Sequence, residues 1–216
     1  MVKSQSNDWK KVLQIFLEKT FEPLKEKKYQ WLVIGSVASV LQKCDLVPND
    51  IDIIVKEPKI VHFVALLLEE YSIEKSKGSP FSDEEIWLSS KKEPVYIGLD
   101  QWGFQWVFTR WLIEGMYVEV AHIEPPKGYL EKFDGIWEAG PESWSYIREK
   151  PFGKYLVPVI PLEIQLETNF GRGFDERINK IIEIFKDQGY DKFLIDLALN
   201  KQHRIKFNQL YLEKEK

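Results

Sequence analysis

Residues 31–56 read WLVIGSVASVLQKCDLVPNDIDIIVK, and the punctuation of this stretch decides the fold. Four apolar residues, Trp31 to Ile34, stop at Gly35-Ser36. A short helical segment follows, and then Asn49-Asp50-Ile51-Asp52 leads into Ile53-Ile54-Val55. Short apolar runs rich in β-branched residues predict strands, and a Gly-Ser pair between periodic segments predicts a turn. The stretch is therefore strand, turn, helix, loop, strand.

Side chains two positions apart on a strand share a face. Asp50 and Asp52 project together, while Ile51, Ile53 and Val55 point the other way, into a core. Two like charges held side by side are costly until something neutralises them. Hard carboxylate oxygens suit Mg²⁺ or Mn²⁺. Gly35 lets a backbone approach a ligand closely, and the helix behind it begins with unpaired N–H groups that favour phosphate. The two halves predict a site for a metal-bound nucleoside triphosphate. Each half also has a plainer reading. Asp-x-Asp is common at solvated strand ends, and Ser36 can be an ordinary helix cap.

Gly35-Ser36 followed by Asp50-Ile51-Asp52 on the next strand resembles the signature of the DNA polymerase β-like nucleotidyltransferase superfamily, minimal type. The resemblance covers the first half of the chain. It implies an α/β (α+β) fold with a mixed, mostly antiparallel central sheet, flanking helices and a helical C-terminal region. It also implies transfer of a nucleoside monophosphate from a Mg-NTP to an acceptor, with release of pyrophosphate. Gly35 and Ser36 would hold the triphosphate. Asp50 and Asp52 would bind two Mg²⁺ (or Mn²⁺) ions, completed by a third carboxylate on a later strand. Glu119, set among apolar neighbours, is the candidate for that catalytic and metal-binding role, with Asp100 as runner-up. The rival role for Glu119 is an ion pair with a basic residue such as Arg110. The segment Pro161-Leu162-Glu163…Arg172…Asp175 is similar to a helical element of the family and makes Arg172 a nucleotide-binding candidate. Glu167 stands where the family often has Lys. The resemblance leaves the acceptor open: small molecule, RNA or protein. The alternative reading is a protein that kept the fold without turnover and binds nucleotide, RNA or a partner protein.

The rest of the chain is read in order. Trp9, Val12, Leu13, Phe16, Leu17 and Phe21 fall at helical spacing, with Asn7 or Asp8 as cap and Pro23 as the end or a kink. Pro58 opens a second helix. Glu85–Ser89, Val95–Leu99, Gln105–Ile113 and Met116–Ile123 read as strands, the last two turning at Glu114-Gly115. Residues 124–160 read as irregular. Two apolar stripes follow, Phe174 to Phe185 and Tyr190 to Ala198. The expected division is a nucleotidyltransferase-like domain over 1–160 and a helical region over 161–216.

Thirty basic against 34 acidic residues give a net charge of −4, which argues against indiscriminate nucleic-acid binding. One cysteine, Cys44, excludes an internal disulfide and suits a reducing cytoplasm. No apolar run reaches the roughly 18 residues needed to span a membrane. His62, His122 and His203 lack metal-ligand spacing and read as structural. Trp102, Trp106 and Trp111 are core by default and a base-stacking platform by alternative. Lys150, Lys154 and Arg177 join Arg172 as cations that a triphosphate or nucleic acid could meet, with solvated surface as the default for the two lysines.

Overall fold

The computed structural model describes residues 8–81 and 85–213. They fall into two compact units, one drawn from Met1–Val33 and Pro48–Glu124, the other from Ile34–Val47 and Pro125–Lys216.

The first unit opens with helix α1, Trp9–Glu26. The Asp8 carboxylate accepts the Lys11 amide at 3.2 Å and caps it; Asn7, the other expected cap, lies outside the described residues. Pro23 does not end the helix, which runs on to Glu26. A proline this close to a C-terminus forfeits one backbone bond and leaves little helix beyond it to disrupt. Val12, Leu13, Phe16 and Leu17 are buried as their spacing predicts.

Five strands follow: β1 (Trp31–Ile34), β2 (Asp50–Val55), β3 (Tyr96–Leu99), β4 (Gln105–Ile113) and β5 (Met116–Glu124). Their order is β3-β4-β5-β2-β1. β2 runs parallel to β5, whereas β3–β4 and β4–β5 are antiparallel. The β4–β5 hairpin turns at Glu114 and Gly115, with φ of 51° and 82°, the positive values that a two-residue hairpin requires. Helix α3 (Pro58–Leu67) starts on its proline and buries Ile60, Val61 and Val64.

No strand forms at Glu85–Ser89, contrary to the sequence expectation. Only isolated bridges occur there, Ser79 to Ile86 and Ile73 to Ser90. The apolar residue that suggested a strand, Trp87, is used differently. It is buried against Phe108 and Tyr96, and the Ser89 amide donates to the Arg110 carbonyl at 2.8 Å.

The second unit holds α2 (Gly35–Leu41), a hairpin of β6 (Arg148–Phe152) and β7 (Tyr155–Val159), and four helices: α4 (Leu162–Arg172), α5 (Asp175–Gln188), α6 (Lys192–Ala198) and α7 (Lys201–Glu213). The hairpin lies in the stretch expected to be irregular. Pro151, Pro158 and the charged Arg148-Glu149-Lys150 hide it. Its signal is Gly153-Lys154 between Phe152 and Tyr155, with Gly153 at φ 56°. Ile178, Ile181, Ile182 and Phe185 form the core stripe as expected. Along α6 the buried set is Leu194, Ile195 and Ala198, while Phe193 and Leu197 face out. The architecture is thus α+β, with mixed, mostly antiparallel strands and a helical C-terminal region. No helix among the described residues is long and apolar enough to cross a membrane.

Candidate active site

The β2–β5 register sets Asp50 opposite Tyr117 and Asp52 opposite Glu119. The β5–β4 register sets Glu119 opposite Arg110. Directly opposed residues share a face, so Asp52, Glu119 and Arg110 form one row across three strands. The other face of β2 carries Ile51, Ile53 and Val55, all buried. Asp50 and Asp52 thus face away from these buried residues and stay half-buried.

These groups line a cavity of about 440 Å³ in the first unit. Its polar wall is Asp50, Asp52, Glu119 and Arg110; Pro80, Phe81, Ile86 and Tyr117 complete it. Beyond the carboxylate row lies an aromatic cluster in which Phe81 meets Tyr96, Trp106 and Phe108 edge-on or tilted.

Glu119 and Arg110 are joined. Arg110 Nε donates to Glu119 Oε2 at 2.8 Å and Nη2 to the same oxygen at 2.5 Å. Both side chains are 19% exposed. Arg110 Nη1 reaches the Pro80 carbonyl at 3.3 Å, and the guanidinium lies 5.1 Å from the Phe108 ring centre. Burial pushes the Glu119 carboxyl above the usual carboxylate range. The Arg110 charge and hydrogen bonds pull it back, and Asp50 pushes it up again.

Asp100 has other work. Its Oδ1 accepts the amides of Trp102 and Phe104 at 2.9 and 3.0 Å, and its Oδ2 accepts the Trp106 indole N–H at 3.0 Å. It shapes the β3–β4 turn. The three tryptophans form no platform: Trp111 is buried, Trp106 is held in the aromatic cluster and Trp102 is 71% exposed.

Gly35, Ser36 and Arg172 belong to the second unit. Gly35 opens α2 at φ 63°, a left-handed value that costs a non-glycine residue about 1 kcal/mol or more. Gln165 on α4 braces this bend, a role the sequence reading missed. Its Nε2 donates to the Gly35 carbonyl at 2.7 Å, and its Oε1 accepts the Ser39 hydroxyl at 2.9 Å. A glutamine on the apolar face of a helix was the available signal. Gln165→Leu should cost about 0.5–1.5 kcal/mol, read by urea denaturation, because it leaves the Ser39 hydroxyl and the Gly35 carbonyl only their longer 3.3 Å bond to each other. The Ser36 hydroxyl is buried with no hydrogen-bond partner among the described residues.

No protein-family model matches the chain, and no curated protein matches it in sequence. In structure it matches TM1012 of Thermotoga maritima, itself provisionally a nucleotidyltransferase, at a TM-score of 0.51 and 18% identity, over 84% of this chain and 94% of that one. The fold is the nucleotidyltransferase fold. The antibiotic-resistance factor ANT(2'')-Ia gives a TM-score of 0.48 at 10% identity over 95% and 96% of the two chains. The lincosamide antibiotic adenylyltransferase LnuA gives 0.43 at 15% over 79% and 97%. Likenesses this weak add nothing to the fold.

Within the nucleotidyltransferase fold, a cation of the Mg²⁺ kind meets a divided donor set. Asp50 and Asp52 offer hard oxygens from one strand face, which fits. Glu119 shares their face with its Oε2 held by Arg110, which leaves Oε1 as its one oxygen outside that pair. Among the described residues no group of three or more His, Cys, Asp or Glu side chains has the geometry to hold a metal ion.

Several titratable groups outside the cavity have partners of their own. Glu167, at the position where a lysine was sought, accepts from Asn200 and pairs with His203 at 2.8 Å. His122 contacts the Val55 carbonyl and Glu124. Cys44 is buried, which pushes its thiol up to about 12. The Arg172 side chain is 56% exposed, 3.9 Å from the buried Glu138. Burial pushes the Glu138 carboxyl up, against the pull of Arg172 and Arg177. The unfolded chain carries no such penalty. Below the ordinary carboxylate range both states are protonated and the penalty vanishes; it grows as pH rises through the raised folded value. Glu138→Gln should therefore raise the melting temperature at neutral pH, and the gain should disappear near about pH 4.

Proposed function

We propose that the protein is a nucleotidyltransferase that moves a nucleoside monophosphate from an NTP to an acceptor hydroxyl and releases pyrophosphate. The observation that carries this reading is the placement of Asp50, Asp52 and Glu119 on one cavity wall of a chain with the nucleotidyltransferase fold.

Asp50 and Asp52 would hold Mg²⁺ or Mn²⁺. Such a cation lowers the pKa of an attacking hydroxyl and takes up charge on the departing pyrophosphate. Glu119, with its carboxyl raised by burial, accepts the proton of the acceptor hydroxyl. Gly35 and Ser36 would hold the β- and γ-phosphates; the buried Ser36 hydroxyl, without a hydrogen-bond partner among the described residues, is a donor of the right kind. Arg172 adds a cation for the triphosphate. The acceptor is a small molecule, an RNA or a protein; the fold does not select among them. The lone cysteine is in keeping with work in the cytoplasm.

One observation favours the alternative, a nucleotide, RNA or partner-protein binding module without turnover: the third carboxylate is already paired with Arg110. Incubating labelled NTP and Mg²⁺ with cellular RNA, protein and metabolite fractions separates the two. Label covalently transferred to any fraction supports the enzyme. Nucleotide retained without transfer supports the module.

A further inference from the structure

Two buried hydroxyls of the second unit, Ser36 Oγ and Thr168 Oγ1, have no hydrogen-bond partner among the described residues. A threonine or serine inside a helix often turns its hydroxyl to the carbonyl four residues back. Thr20 of α1 does so, bonding the Phe16 carbonyl at 2.8 Å, and Ser39 of α2 does so with Gly35 at 3.3 Å. Thr168, inside α4, forgoes that bond and keeps a buried donor that no described residue uses. A hydroxyl left in this state costs stability, and a ligand that accepts from it recovers the loss.

The packing of α4 on α2 puts Thr168 beside the Gly35-Ser36 bend. Gln42, just after α2, donates to the Ile160 carbonyl at 2.8 Å, just ahead of α4. Gln165, further along α4, clasps Ser39 and the Gly35 carbonyl. These contacts step backwards along α2 as they step forwards along α4, so the two helices run in opposite senses. The next turns of α4 therefore pass the start of α2, where the chain bends at Gly35 and Ser36. Positions 165, 168 and 172 share one face of a helix. That face carries Gln165, which holds the bend, then Thr168, then Arg172. Glu167 lies on the other side of α4 and is taken up by Asn200 and His203.

We propose that Thr168 is a triphosphate-binding residue whose hydroxyl donates to a phosphate oxygen between those met by Ser36 and Arg172. The inference rests on the nucleotidyltransferase reading and adds a residue to its nucleotide site. Two hydroxyls and a guanidinium supply the donors that phosphate oxygens accept. Glu138 lies 3.9 Å from Arg172, a loose pairing that a multiply charged anion can displace.

Calorimetry of the whole chain with tripolyphosphate and Mg²⁺ tests it, because this probe carries the phosphates without base or sugar. Wild type should bind. Thr168→Val, which keeps the shape and removes the hydroxyl, should bind about tenfold weaker or more, as expected for one lost hydrogen bond to a charged group. Ser36→Ala should show a similar loss, and Thr168→Ser should stay within about threefold of wild type. Without ligand, Thr168→Val should melt no lower than wild type, since no described residue loses a bond. A merely structural hydroxyl gives the reverse pattern: a lower melting temperature with unchanged affinity.

That reverse pattern overturns the proposal, as does a wild type that does not bind tripolyphosphate, or a Thr168→Val that binds within about twofold of wild type. Thr168→Ala, with the better helix former, carries the same test should Thr168→Val fail to fold. Label transfer from NTP is read separately. If wild type transfers no label while Thr168→Val loses tripolyphosphate affinity, the enzyme reading falls and the binding residue stands. If wild type transfers label and Thr168→Val binds as wild type does, only the role of Thr168 falls.

Discussion

Replacing Asp50 and Asp52 together by asparagine should lower label transfer from NTP by about three orders of magnitude or more, while the chain stays folded. A cation that polarises the reacting groups is worth several kcal/mol of barrier, and each 1.4 kcal/mol is about tenfold in rate. The same change relieves charge. Both carboxylates are half-buried beside Glu119, and Asp50 helps to push the Glu119 carboxyl up. In metal-free buffer Asp50→Asn alone should therefore melt at the same temperature as wild type or above it. Glu119 should also titrate lower than in wild type, read by carboxyl infrared or NMR signals. Loss of transfer together with a lower melting temperature would mean a damaged fold, and undiminished transfer would end the proposed role of the pair.

Arg110→Met should be the most destabilising single change in the cavity, by about 2–3 kcal/mol in urea denaturation. Breaking one side of a fully buried pair costs about 3–5 kcal/mol, and the figure is reduced here because both side chains are 19% exposed and solvent screens them. Most of that loss comes from stranding the Glu119 charge, so it is not the worth of the pair. Arg110→Met with Glu119→Met should accordingly recover most of it. A double variant as unstable as the sum of the two single changes would show that packing around Phe108 and Pro80, and not charge, makes Arg110 important.

How far the site could be read beforehand differs residue by residue. Asp50 and Asp52 were legible because alternation along a strand is a local rule, and the apolar Ile51 and Ile53 fix which face each acid takes. The β4–β5 hairpin was legible for the same kind of reason: Glu114-Gly115 supplies the turn, and strand bounds follow from apolar runs. Glu119 was legible as a buried acid but not in its role, because a metal ligand and an ion-pair partner look alike in one dimension. Glu85–Ser89 misled because Trp87 serves an aromatic cluster instead of a ladder. Arg148–Phe152 was overlooked because its prolines and charges mask a strand whose partner, Tyr155–Val159, makes it stable.

The chain's order of residues determined by itself that a glycine bend precedes a strand bearing two carboxylates on one face, since both depend only on backbone geometry over a few positions. Tertiary structure alone decided what stands opposite them. The parallel pairing of β2 with β5 sets Asp52 against Glu119, and the antiparallel pairing of β5 with β4 sets Glu119 against Arg110. Register between segments distant in the chain is settled by the packing of whole faces, and no local pattern encodes it.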